Sequence, residues 1–144
     1  MVKIRLLETR DLDFVQHLHQ ATFQQPFNFG DYLSGARYHY GLVLEVEGEL
    51  LGYLVGRIIY EEADLYYVAI APPFYGKGYG KQLIKAFIAQ SCALGGERIS
   101  LEVRASHVAT IRLYEKCGFE TVGIRNKYYG DGEDALLMVN TLVK

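Results

Sequence analysis

The chain has no tryptophan, only three prolines and only two cysteines in 144 residues. Cys92 and Cys117 stand far apart without metal-ligand spacing, and read as two buried thiols. His17, His19, His39 and His107 form no pattern such as His-Glu-x-x-His, so no metal is expected. No apolar run approaches the roughly 20 residues of a membrane span. The start, Met1-Val-Lys-Ile-Arg, alternates rather than forming a signal-peptide core. These absences give the expectation of a cytoplasmic protein with no membrane partner. A formal net charge of −2 lacks the basic excess of a nucleic-acid binder. Neither repeat, low-complexity tract nor linker interrupts the chain. Half of its residues are hydrophobic, enough for one cored domain over residues 1–144.

What is present centres on Leu65 to Lys85. Leu65 to Ala71 is apolar on both faces, as a buried strand is. Pro72-Pro73 ends it. Gly76, Gly78 and Gly80 allow tight turning, and Leu83, Ile84, Phe87 and Ile88 then follow at helical spacing. A strand, a Gly-rich bend and a helix start converge backbone N–H groups on one spot, a cradle for pyrophosphate. Two familiar phosphate motifs fail. The Walker pattern needs four residues between its first Gly and Gly-Lys, and Gly76 and Gly80 enclose three. The dinucleotide fingerprint needs a third Gly where Lys81 stands. A Gly-rich turn without ligand stays open on the glycines alone.

Elsewhere the pattern predicts a first strand at Val2–Leu6 and a helix capped by Thr9 and running to about Phe23. Phe27 to Arg37 is ambiguous, with a short second helix as one reading. Tyr40–Val46 and Leu50–Tyr60 read as strands joined by a turn at Glu47-Gly48. The helix after the Gly-rich bend spans Tyr79–Leu94, closed by Gly95-Gly96. A fifth strand covers Ile99–Arg104. Ser106 caps a short helix over His107–Lys116. Two last strands are expected at Phe119–Lys127 and Ala135–Val143, linked by a loop carrying Gly130-Asp131-Gly132. The order is β-α-α-β-β-β-α-β-α-β-β: a mixed, mostly antiparallel α/β (α+β) sheet of about seven strands with about four helices.

Gly78-x-Gly80 after a buried strand, followed by Leu113-Tyr-Glu-Lys-Cys-Gly-Phe119, resembles the GNAT acyl-CoA N-acyltransferase superfamily. Leu101-Glu-Val-Arg-Ala-Ser106, Tyr128-Tyr129 and Glu133-Asp134-Ala135 resemble its RimI-like protein N-terminal acetyltransferases. The resemblance implies the same element order, with the fourth and fifth strands splayed and CoA in the gap. It implies acetyl-CoA as co-substrate and the α-amine of a protein or peptide N-terminus, such as a ribosomal protein's, as acceptor. A small amine (polyamine, amino acid or aminoglycoside) is the alternative acceptor, and the chain is expected as monomer or homodimer.

Acetyl transfer to an amine needs a base, a site for the charged carbonyl oxygen, and a proton for the leaving thiolate. Glu102 is the candidate base. Alternation places it opposite Ile99, Leu101 and Val103, and the resemblance puts the catalytic glutamate in this string. A solvated glutamate paired with Arg104 is the plain alternative. A free carboxylate titrates near about 4.3, so such a base needs partial burial or a relaying water. Tyr114 is the candidate acid, by resemblance aimed at the CoA sulfur; a core aromatic is its alternative. A bulge in the fourth strand, implied near Val68, Ala69 and Ile70, frees an N–H for the carbonyl oxygen. Backbone from Gly76 to Lys81, including Tyr79, is expected to contact pyrophosphate, with Lys77 and Lys81 either adding charge or standing as ordinary solvated lysines. Tyr75 replaces the family's usual Gln or Arg, and His107 its Asn, as CoA neighbours. The resemblance implies that Tyr128 and Tyr129 grip the acceptor's first residues; Phe23 to Phe29, with Phe27, forms either the opposite wall or a hydrophobic loop packed on the domain, and Glu133-Asp134 either buttresses the tyrosine loop or meets the acceptor amine.

Overall fold

Alternating side chains build the sheet, and the alternation sorts them onto two faces. The computed structural model describes residues 1–142. Seven strands form one sheet: β1 (Val2–Leu6), β2 (His39–Val46), β3 (Glu49–Ile59), β4 (Glu62–Ile70), β5 (Arg98–Arg104), β6 (Glu120–Arg125) and β7 (Ala135–Thr141). Their spatial order is β1-β2-β3-β4-β5-β7-β6. All neighbours are antiparallel except β4 and β5. The last strand was expected to reach Val143, which lies outside the described residues.

Three α-helices cover the sheet: α1 (Leu12–Phe23), α2 (Tyr79–Ala93) and α3 (Val108–Lys116). On one face Leu42, Leu44, Leu54 and Leu101 meet Leu83, Ile84 and Phe87 of α2. On the other, Val43, Tyr53, Val55 and Ala69 meet Val15 and Leu18 of α1. The second helix expected within Phe27–Arg37 is a single 3-10 turn, Phe29–Tyr32, so among the described residues the α-helices number three rather than about four. Its Phe29 and Tyr32 are buried, so the segment is anchored by its aromatics without a helical repeat.

Caps differ from expectation. A 3-10 turn, Thr9–Asp11, precedes α1, and Glu8 rather than Thr9 caps it through a reciprocal box with Asp11. Arg5 explains the choice: its guanidinium grips both oxygens of buried Asp11, at 2.8 and 2.9 Å. Such two-pronged pairing is among the stronger polar contacts. Ser106 does not cap α3; His107 occupies that position with no side-chain cap bond, while the Ser106 N–H donates to Glu133. Cys92 is exposed rather than buried, and Cys117 is half-buried.

The feature that makes a site is a failed pairing. β4 and β5 pair only at Glu62–Arg98, Ala63–Ile99 and Asp64–Ser100, then diverge. β4 also carries a bulge. Val55 opposes Tyr67 and Gly56 opposes Leu65, so Tyr66 is the extra residue. The expected bulge near Val68 to Ile70 therefore lies upstream, at Tyr66. Gly56 suits the place: a Cβ there would come within 2.6 Å of both the Phe87 ring and the Asp64 carbonyl.

Candidate active site

The divergence of β4 from β5 leaves a cleft of about 300 Å³ lined by Asp64, Leu65, Tyr66, Ser100, Leu101, Glu102, Arg125 and Leu137. Leu65 and Leu101 belong to the α2 side of the sheet, while Glu102 points to the opposite side. The cleft is thus bounded by residues of both faces.

One edge of β4 faces this gap unpaired. The N–H of Ala71 donates to the carbonyl of Leu51 on β3. N–H groups alternate in direction along an antiparallel ladder. Val68 and Ile70 therefore aim theirs at the gap, and Ala69, opposite Tyr53, aims its own into the ladder. Of the three expected positions, Ala69 is set aside for this reason.

Gly76 and Gly78 have φ of 76° and 82°, in the left-handed region, and α2 begins right after Gly78. No atom lies within 4 Å of a Cβ built on either. The space beside both glycines is open, as the approach to a phosphate cradle must be. Lys77 and Lys81 are exposed, and neither forms an ion pair among the described residues. Tyr75 is 60% exposed and Tyr79 packs partly on the core. His107 is exposed at the start of α3.

Glu102 is partly buried. Its Oε1 accepts the Tyr128 hydroxyl at 3.2 Å, and its Oε2 lies 2.6 Å from Arg125 Nε. That second approach is an ion pair without hydrogen-bond alignment, and Oε2 receives no directed proton though it is closed off from solvent. The alternative pairing of Glu102 with Arg104 is absent among the described residues. Arg104 instead binds Asp131 at 2.8 Å and Glu133 at 3.0 Å, with its guanidinium 4.1 Å over the Tyr129 ring. Ser106, then Arg104, hold the Glu133 carboxyl down to about 2. Asp134 accepts the N–H of Lys127. Both acids therefore buttress the loop between β6 and β7.

That loop presents Tyr128 and Tyr129 with rings 5.1 Å apart, edge to face. Tyr129 lies within electrostatic reach of both Glu102 and Tyr114. Tyr114, on α3, is 5% exposed against Phe119, and burial pushes its phenol well up. Its hydroxyl has no hydrogen-bond partner among the described residues. Glu102 and Tyr114 thus approach the loop from opposite faces of the sheet.

Phe27 is elsewhere. It packs against His19, Phe29, Tyr32 and Tyr67, under the segment after α1, and does not line the Glu102 cleft. Tyr67 joins the two regions: its ring meets Phe27, and its phenol feels Arg104. Arg125, Tyr66 and Tyr67 were not anticipated from the sequence. Adjacent tyrosines in an unbroken strand face opposite ways, so at least one of Tyr66 and Tyr67 had to meet something other than a single core face.

The acetyltransferase (GNAT) family pattern matches residues 5–119. The chain belongs to the acetyltransferase (GNAT) family. This GNAT chain is 34% identical over 143 residues to the [ribosomal protein bS18]-alanine N-acetyltransferase of Escherichia coli K12, covering 96% of each chain. It is 34% identical over 141 residues to the enzyme of that name from Haemophilus influenzae, covering 94% of this chain and 95% of that one. Among solved structures, the ribosomal-protein-S18-alanine N-acetyltransferase from Escherichia coli superposes with a TM-score of 0.88 at 31% identity, covering 100% of this chain and 96% of that one. Arabidopsis thaliana NAA60 in complex with acetyl-CoA shares the fold, with a TM-score of 0.89 at 18% identity, covering 99% of this chain and 100% of that one.

Proposed function

We propose that this chain transfers an acetyl group from acetyl-CoA to the α-amine of a protein N-terminus, with the alanine end of a ribosomal protein of the bS18 type as the leading acceptor. The observation that carries the reading is the Tyr128 hydroxyl on Glu102 beside the parted strands, which joins a carboxylate to the expected peptide-gripping loop. The relatives named for bS18 alanine support the acceptor.

Residues fit the co-substrate. The N–H groups of Val68 and Ile70 receive the pantetheine arm and the carbonyl oxygen as it gains charge. The open Gly76–Lys81 loop takes the pyrophosphate. Glu102 removes the proton that would otherwise occupy the amine's lone pair, directly or through a water. A C–N bond forms as the C–S bond breaks, Tyr114 gives its proton to the sulfur, and the second proton shed by the nitrogen restores the phenol through water. Its buried, unengaged phenol stays protonated and suits that donation. Residues 1–144 act as one domain, in the cytoplasm. No described helix is long and apolar enough to cross a membrane.

The test is thiol release from acetyl-CoA across a panel of alanine-starting peptides, internal-lysine peptides and polyamines. Fastest turnover is expected with a free alanine N-terminus. Turnover confined to polyamines or lysine would sink the reading.

A further inference from the structure

Arg125 ends β6 with 55% of its side chain in solvent, yet it meets the carboxylate of Glu102. The contact is incomplete. Glu102 Oε2 faces the guanidinium at 2.6 Å, is sealed from water, and still receives no aligned proton. Oε1 already holds the Tyr128 hydroxyl. An oxygen that faces a cation without a directed donor leaves a place for a better-shaped one.

We propose that Arg125 holds the place of the acceptor's ammonium and must leave when the acceptor enters. The inference rests on Glu102 being the acceptor-facing base. Oε2 is closed to solvent with the guanidinium against it, so an ammonium reaches that oxygen only after Arg125 has moved, and repulsion between the two cations favours the move. Release is easy because half-exposed ion pairs are weak. The neighbouring acids do not recapture Arg125: Asp131 and Glu133 are engaged by Arg104, and Asp64 by Arg57. Arg125 therefore swings to solvent over the Tyr128 ring, whose centre its guanidinium carbon already approaches at 5.8 Å. The arrangement selects for acceptors that arrive charged and slim enough to displace it.

Initial-rate kinetics on the full chain test this with Arg125→Gln and Arg125→Lys, using an alanine-starting peptide. Arg125→Gln should lower the acceptor KM about threefold to fivefold, the scale of a half-exposed ion pair, with the acetyl-CoA KM unchanged. Arg125→Lys keeps the cation and should stay within about twofold of the wild type. An acceptor KM that is unchanged or higher in Arg125→Gln, or a fall in kcat, would show instead that Arg125 positions Glu102. A binding readout stands apart from activity. With CoA present, the free-amine peptide should shift the Arg125 Nε–H resonance, and the same peptide acetylated at its Nα should not. A resonance unmoved by the free amine overturns the proposal. A wild-type chain silent toward every peptide defeats the functional reading and this inference together; an active one with an unmoved KM defeats the inference alone.

Discussion

Single residues divide into those that meet the cleft and those that hold its walls. Glu102→Gln keeps shape and removes the base, so turnover should fall on the order of 100-fold with acetyl-CoA affinity retained. Steady-state rates with calorimetric binding of acetyl-CoA check both halves. His19 belongs to the walls. It is 1% exposed, bonded through Nδ1 to the Tyr53 hydroxyl, and caged by Phe23, Phe27, Phe29 and Tyr67. Burial lowers its pKa from the ordinary value. The unfolded chain then binds a proton more readily than the folded one, so this contribution is full above pH 6.5, the unfolded value, and declines as pH falls below it. Urea unfolding at pH 7.5 and pH 5.5 should show lower stability at the acid value. His19→Gln should flatten that difference, even at lower overall stability.

At the scale of elements, the Gly-rich loop and the bulged strand do the positioning. Gly78 starts α2 at a φ of 82°. Alanine there would cost roughly 1 kcal/mol of stability from backbone strain and loosen the start of α2 that shapes the loop. The acetyl-CoA KM should rise more than the acceptor KM, which initial-rate measurements separate. These elements were readable to unequal degrees. The apolar run of β4, the glycines and the α2 stripe are local patterns, and the loop and helix stand where they imply. The face of Glu102 followed from alternation within β5. Its partners did not, because Arg125 and Tyr128 reach it from β6 and the loop after it, and no local pattern encodes such a meeting. The bulge fell at Tyr66 because the space is set by Gly56 and Phe87, two residues distant in sequence. Ser106 looked like a cap until Glu133, from another loop, took its N–H.

Across the whole molecule, two blocks of sheet meet along a short seam. β1 to β4 and β5 to β7 share only the three residue pairs from Glu62–Arg98 to Asp64–Ser100, with core packing across the α2 side. A ligand that reaches both banks of the gap should act as a clamp. At about 100 times its Kd, acetyl-CoA should add about 2.7 kcal/mol by mass action, or about 5 to 10 °C in Tm. A melting series with increasing acetyl-CoA measures it. An unchanged Tm at saturation would mean the co-substrate does not bind the folded chain.

Leu65 and Leu101 line the gap but are buried in the core on the α2 side, so there the gap has an apolar backing rather than a second mouth. A chain end bound beside Glu102 would lie against a dry wall, and the charge pair it forms there would be shielded from water on that side.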